Sequence, residues 1–157
     1  MTAPTLVFAW GNPSRGDDAL GPLFAERLEA LAAAHRQWGA VEVLTDFQLQ
    51  VEHALDLQGR RRLLFVDASL EATPPFSVEQ IGPLKDASFT THAMSPQAVL
   101  HVYVELQDEA PPPAWLLAIR GEAFELGAAP SAAARANLDA ALAWASDWLG
   151  APLPANR

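Results

Sequence analysis

Three short runs of apolar residues end in turn or polar residues, which is the pattern of strands buried on both faces of a sheet. They span residues 6–10, 63–66 and 115–119, and residues 41–45 read as a fourth strand. A fifth run, residues 76–80, alternates apolar and polar positions between prolines, which favours an antiparallel or edge strand. The pattern therefore predicts a twisted sheet of about five strands.

Segments with helical spacing separate most of these strands. Apolar positions recur at helical intervals from Asp18 to about residue 35, and residues 51–57 read as a short helix. Ser95 and Ser131 are each placed as the N-cap of a later helix, and Pro96 suits the first helical position. Alternating strands and helices predict a single α/β domain over residues 1–157, with its core at about 6–149. It is a three-layer sandwich, with helices on both faces of a mostly parallel sheet.

Composition narrows the functions that such a domain can have. Ten basic and nineteen acidic residues give a formal net charge of −9, which disfavours nucleic acid as a partner. The absence of cysteine excludes thiolate metal sites, disulfides and a cysteine nucleophile. No apolar run is long enough for a membrane span, and the amino terminus does not resemble a signal peptide, so we expect a cytoplasmic protein without a membrane partner.

Ligands of open α/β sheets bind beyond the carboxyl ends of the strands. Three residues with metal-binding side chains are expected at that edge. Asp18 lies in the loop after the first strand, Asp67 directly after the strand at 63–66, and His92 just before the helix that Ser95 caps. Two carboxylates and an imidazole form a donor set suited to a borderline divalent ion such as nickel or zinc. Each also has a simpler explanation, since Asp17 and Asp18 could stabilise a helix start, Asp67 could cap a loop and His92 could be an ordinary loop residue. His35, His53 and His101 are expected to be structural or surface groups.

Common alternatives for the chemistry lack their motifs. The sequence contains neither a phosphate-binding GxxxxGK[ST] loop nor a dinucleotide-binding GxGxxG, so we expect no nucleotide or organic cofactor. It also lacks the GxSxG nucleophile elbow. Hydrolysis would therefore use a water molecule activated by a metal ion or by a carboxylate.

Three blocks of the sequence resemble the hydrogenase maturation endopeptidases. They are residues 11–21 (Gly-Asn-Pro-Ser-Arg-Gly-Asp-Asp-Ala-Leu-Gly), 65–68 (Phe-Val-Asp-Ala) and 91–96 (Thr-His-Ala-Met-Ser-Pro). The resemblance implies an α/β protease that removes the carboxyl-terminal extension of a nickel-iron hydrogenase large-subunit precursor after nickel insertion. It places the family's metal-contacting and catalytic residues on Asp18, Asp67 and His92, and the nickel belongs to the precursor.

The chain departs from the family pattern at two points. Asp18 stands where many members carry the longer Glu, and residues 46–50 (Asp-Phe-Gln-Leu-Gln) replace a glycine-threonine motif after the second strand. This variation resembles the branch that serves cytosolic, NAD-reducing hydrogenases. Two alternatives stay open: a phosphoacceptor receiver-like signalling module, which would use Asp17, Asp18 and Asp67, and a non-catalytic metal- or small-molecule-binding module.

Overall fold

The computed structural model of the protein describes residues 2–85 and 93–155. Five strands form one sheet in the order β2-β1-β3-β5-β4. They are β1 (Thr5–Trp10), β2 (Val41–Asp46), β3 (Arg62–Ser69), β4 (Phe76–Ile81) and β5 (Ala114–Arg120). The first three and the last are parallel, whereas β4 pairs antiparallel with β5 at one edge, as the alternating pattern predicted.

Three α-helices and three 3₁₀ segments connect the strands in the described residues. The α-helices are α1 (Leu20–Ala34), α2 (Pro96–Gln107) and α3 (Ala132–Gly150), and the 3₁₀ segments are Gly16–Ala19, Arg36–Trp38 and Val51–Leu57. The predicted N-caps are confirmed, because the hydroxyls of Ser95 and Ser131 accept the backbone N–H of Ala98 and Ala134. The first helix begins two residues later than predicted, since Asp18 lies in the 3₁₀ turn that precedes it.

Alternate side chains of the sheet enter two separate hydrophobic cores. On one face, Val7 and Leu64 pack with side chains of α1 and α3. On the other face, Phe8 and Phe65 pack with α2 and the 3₁₀ segment Val51–Leu57. Helices thus cover both faces and leave the carboxyl ends of the parallel strands as the edge where loops gather, so the predicted α/β sandwich is confirmed. Within residues 2–85 and 93–155, no helix is long and apolar enough to cross a membrane.

Candidate functional site

A glycine at the end of β1 brings the following acidic residues back over the sheet. Gly11 has φ 150°, and a Cβ atom there would lie only 2.0 Å from the backbone oxygen of Asp18. Its N–H donates to the backbone oxygen of Asp46 at 3.0 Å, which fixes this loop to the end of β2. Glycine is needed because any side chain would collide with the returning backbone. The tight turn places Asp18 beside the carboxyl end of β1.

The start of α1 approaches β1 just as closely. A Cβ atom on Gly21 would lie 2.0 Å from the backbone oxygen of Trp10. Helix and strand can meet at this distance only without a side chain between them. The two glycines, ten residues apart, therefore position the loop that carries Asp17 and Asp18 from both ends.

The two neighbouring aspartates have different surroundings. Asp17 is fully buried, and its carboxylate accepts backbone N–H groups of Glu122, Ala123 and Ser131, at 2.7, 3.0 and 2.7 Å, and also the Ser131 hydroxyl at 2.9 Å. Burial raises the pKa of this carboxyl, but the four hydrogen bonds outweigh burial, and its pKa lies below the usual value. Asp17 therefore attaches the loop after β5 to the loop after β1.

Asp17 is thereby unavailable as half of the acidic pair that a receiver-like module would need. No lysine follows β5 either, where the sequence reads Arg120-Gly121-Glu122. Both observations disfavour the receiver-like alternative.

Asp18 is partly exposed at the same edge. One oxygen of its carboxylate accepts the backbone N–H of Asn12 at 2.7 Å, inside its own loop. The carboxylate does not cap α1, because that helix has no side-chain cap. The simple explanation of Asp18 as a helix-start residue is thus not supported, and its other carboxylate oxygen makes no hydrogen bond with another described residue.

Asp67 carries the most altered carboxyl group of the site. It lies inside β3, opposite Ala118 of β5, because the strand continues three residues beyond the predicted end at residue 66. Burial, and after it the negative charge of Asp18, raise the pKa of Asp67 to about 7 against the opposing effect of the hydrogen bond from the backbone N–H of Ala68. The effect of Asp18 on this pKa requires the two carboxylates to lie near each other. A titratable group with such a shift, at the carboxyl edge of an α/β sheet, is typical of a functional site.

The third predicted ligand, His92, lies outside the described residues. In the described parts of the chain, no group of three or more histidine and acidic side chains is arranged to hold a metal ion. The structure therefore brings Asp18 and Asp67 to one edge of the sheet. A metal site completed by His92 remains a prediction.

A second carboxylate and imidazole meet at this edge, and the sequence analysis did not predict them. His53 is 8% exposed, and its Nε2 lies 3.3 Å from a carboxylate oxygen of Asp46. The Nδ1 atom accepts the backbone N–H of Gln50 at 2.8 Å, so the hydrogen of a neutral ring lies on Nε2, the atom that faces Asp46. The sequence predicted a structural role for His53. The position of Asp46 at the end of β2 is the signal that could have indicated this pair.

The remaining histidines in the described residues make local contacts. The ring of His35 stacks on Trp38 at 4.5 Å, and its Nδ1 lies 2.7 Å from the backbone oxygen of Leu31. His101 pairs with Glu105 one turn further along α2, at 3.0 Å. These contacts agree with the structural or surface roles expected from the sequence.

Several solved structures share this fold over nearly their whole length. The [NiFe] hydrogenase maturation protease HycI from Thermococcus kodakarensis KOD1 is similar with a TM-score of 0.69 and 21% identity, and the match covers 95% of this chain and 94% of HycI. The hydrogenase maturating endopeptidase HybD from E. coli is similar with a TM-score of 0.68 and 22% identity, over 92% of this chain and 91% of HybD. No family model and no curated protein sequence matches the chain. The topology, the coverage and these two neighbours together show that the chain has the fold of the hydrogenase maturation endopeptidases.

Proposed function

We propose that this protein is an endopeptidase that removes the carboxyl-terminal extension of a nickel-iron hydrogenase large-subunit precursor after nickel insertion. The observation that carries the proposal is the pair of carboxylates, Asp18 and Asp67, at the carboxyl edge of a sheet with the maturation-endopeptidase fold. The structural neighbours are themselves named as hydrogenase maturation proteases.

The donor set agrees with recognition of a nickel ion that belongs to the substrate. Carboxylate oxygen and imidazole nitrogen are suitable ligands for borderline divalent ions, and Asp18, Asp67 and His92 supply both types. Two carboxylates that repel each other also gain from a cation placed between them. In this proposal, the precursor's nickel bridges the protease and its substrate, so that only a precursor with a filled metal site is cleaved.

The chemistry of peptide hydrolysis also fits the properties of Asp67. Hydrolysis requires a proton to leave the attacking water and a proton to reach the departing amine. A carboxyl group with a pKa of about 7 holds and releases a proton near neutral pH, which suits a general acid or base. In this proposal Asp18, Asp67 and His92 together contact the reacting centre, and Asp67 also transfers this proton. We place the reaction in the cytoplasm, with no nucleotide or organic cofactor and no nucleic acid or membrane partner.

The test uses purified protein and a panel of cytosolic hydrogenase large-subunit precursors, each prepared with and without nickel. Loss of the carboxyl-terminal extension is followed by intact mass. We expect cleavage of a nickel-loaded precursor and no cleavage of the nickel-free form or of generic peptides.

The other outcomes separate the alternatives. Equal cleavage of both forms would retain the protease and refute nickel recognition. If no precursor is cleaved and Asp67 is phosphorylated by a small phosphodonor, the protein is a receiver-like module. If neither reaction occurs but nickel binds, the non-catalytic metal-binding module is correct.

A further inference from the structure

A groove runs along the edge of the molecule between the loop after β1 and the end of β2. It encloses about 310 Å³ and is lined by Gly11, Pro13, Pro22, Thr45, Asp46 and Phe47. The volume is at the lower end of the ~300–1,000 Å³ range of ligand pockets. Its lining is mostly apolar, with two prolines and Phe47 among the lining residues, and Asp46 is the only one of the six that carries a charge. A cavity of this size and chemistry suits one large apolar side chain better than a cofactor.

The groove ends beside the candidate reaction site. Gly11 lines it, and a Cβ atom on Gly11 would lie 3.3 Å from Oδ1 of Asp18. The next residue, Asn12, donates its backbone N–H to the other oxygen of the same carboxylate. A polypeptide whose scissile bond lies at Asp18 and Asp67 can therefore place a nearby side chain in the groove.

Phe47 is an unusual wall for such a groove because its side chain is 67% exposed. Large apolar side chains gain free energy by leaving water, so an exposed aromatic beside a reaction site indicates a contact surface. A shallow apolar groove next to a rim carboxylate also selects against acidic side chains.

The backbone of Phe47 is nevertheless held by the Asp46 carboxylate. One of its oxygens accepts the backbone N–H of Phe47 at 2.7 Å, and the other lies 3.3 Å from Nε2 of His53. The His53 ring is fixed in turn by the N–H of Gln50 and by an edge contact with the Phe8 ring at 4.5 Å. These contacts fix the backbone that carries the exposed phenyl ring, and less backbone ordering then remains to be lost when the ring binds a partner.

We propose that this groove binds a large apolar side chain of the protein substrate, with Phe47 as the contact residue and with Asp46 and His53 as positioning residues. The proposal rests on the proposed function, because it takes the occupant from the chain that the endopeptidase cleaves. It assigns this contact to three residues at and beyond the end of β2.

The first test compares Phe47→Ala with Leu106→Ala on the nickel-loaded precursor that the unmodified protein cleaves best. Leu106 is a matched control because it is 57% exposed but lies in the last turns of α2, at the opposite edge of the sheet. We expect Phe47→Ala to raise KM about tenfold with little change in kcat, the effect of losing one well-packed aromatic contact. Leu106→Ala should retain the original KM. Equal KM values for the two variants would overturn the inference.

A second test identifies the side chain that occupies the groove. Each large apolar residue near the cleaved bond of the precursor is changed to Ala and assayed with the unmodified protein and with Phe47→Ala. One precursor change should raise KM for the unmodified protein about tenfold and add little for the variant, because the two residues share one contact. Fully additive effects at every position would refute a side chain in the groove. A shift from dimer to monomer in Phe47→Ala, without a change in KM, would instead assign the groove to contacts between two copies of this chain.

The positioning residues are tested by conservative changes. One oxygen of the Asp46 carboxylate accepts the backbone N–H of Phe47 and the other faces Nε2 of His53, and Asp46→Asn replaces one of these two oxygens by an N–H donor. Asp46→Asn and His53→Asn should raise KM several-fold at unchanged kcat, and combining either with Phe47→Ala should add little. If the variants only contain less folded protein and their KM is unchanged, both residues have a structural role only. Absence of cleavage by the unmodified protein would overturn the proposed function together with this inference, whereas cleavage that is insensitive to Phe47 would overturn the inference alone.

Discussion

Asp17 and Ser131 lie 114 positions apart and are joined by two hydrogen bonds, from the Ser131 backbone N–H and from its hydroxyl. The same hydroxyl accepts the N–H of Ala134 and so caps α3. One serine therefore connects the loop after β1 to the start of the last helix. Because Asp18 is the next residue, this connection also helps to position the carboxylate of Asp18.

Replacing Asp17 should damage the fold. Asp17→Ala leaves three backbone N–H groups and the Ser131 hydroxyl without their acceptor, in a fully buried place. Buried groups left without partners cost ~1–3 kcal/mol each, and partial rearrangement admits water, so we expect a loss of about 3 kcal/mol in the free energy of unfolding. Urea titration measures this loss, and the remaining folded protein should still process the precursor.

Replacing the adjacent Asp18 should lower activity and leave stability nearly unchanged. Asp18→Asn retains an oxygen that can accept the N–H of Asn12, so we expect the free energy of unfolding to change by less than about 0.5 kcal/mol. It removes a charge from the proposed site, so the rate of precursor processing should fall at least ~100-fold. The two variants are matched controls for each other. Similar stability losses with activity in proportion to folded protein would show that both aspartates are structural.

The Asp67→Asn variant should be more stable than the wild type, and this difference in the free energy of unfolding should grow as the pH rises. The carboxyl of Asp67 has a pKa of about 7 in the folded protein and an ordinary value of 3.8, so the folded state binds this proton more tightly than the unfolded state. Its contribution to stability is present below pH ~4 and is lost as the pH rises through 7. Each pKa unit corresponds to ~1.4 kcal/mol, so at pH 8 the Asn variant should exceed the wild type by roughly 2–4 kcal/mol.

The measurement for Asp67→Asn is urea unfolding of both proteins between pH 4 and pH 8. The difference between them should fall below about 1 kcal/mol near pH 4, where the carboxyl is protonated in the folded state and close to half-protonated in the unfolded state. Asp147→Asn, which changes an exposed carboxylate on α3, serves as the control and should show no comparable trend. A constant difference across the pH range would argue against the high pKa. Precursor processing should be absent in Asp67→Asn at every pH.

The close contact of α1 with β1 gives a prediction at a glycine. Gly21→Ala places a methyl group against the backbone oxygen of Trp10. Neither backbone can move without disturbing the hydrophobic core between the sheet and helices α1 and α3. We expect a loss of about 3 kcal/mol, the upper end of the range for overpacking, together with reduced processing through displacement of Asp18. Gly82→Ala is the control, since nothing lies within 4 Å of its added carbon atom. A Gly21→Ala protein as stable as Gly82→Ala would contradict the close approach.

The sequence predicted the fold because local signals and burial agree along most of the chain. Residues 63–66 are apolar at every position, and β3 is buried on both faces; Ser95 and Ser131 have the residue type and the bonding of N-caps. The antiparallel β4 was predicted for a comparable reason, since its alternation matches its half-exposed edge position.

The site was predicted only in part, because its properties depend on contacts between distant segments. The sequence could not distinguish Asp17 from Asp18, since the partners of Asp17 lie more than 100 residues away. It also missed the Asp46–His53 pair, because the buried position of His53 depends on how the 3₁₀ segment packs against Phe8. Long-range packing leaves no local signal.

The strand order β2-β1-β3-β5-β4 determines which strand edge stays unpaired while the chain is being synthesised. The open edge of β3 is filled only by β5, and β4 is synthesised earlier but can join the sheet only through β5. Until residues 114–120 emerge, a nascent chain exposes the unpaired backbone of β3, whose sequence is among the most apolar in the protein. Such an edge pairs readily with other chains. Products of premature termination before residue 114 are therefore expected to aggregate and to depend on chaperones or proteases for their removal.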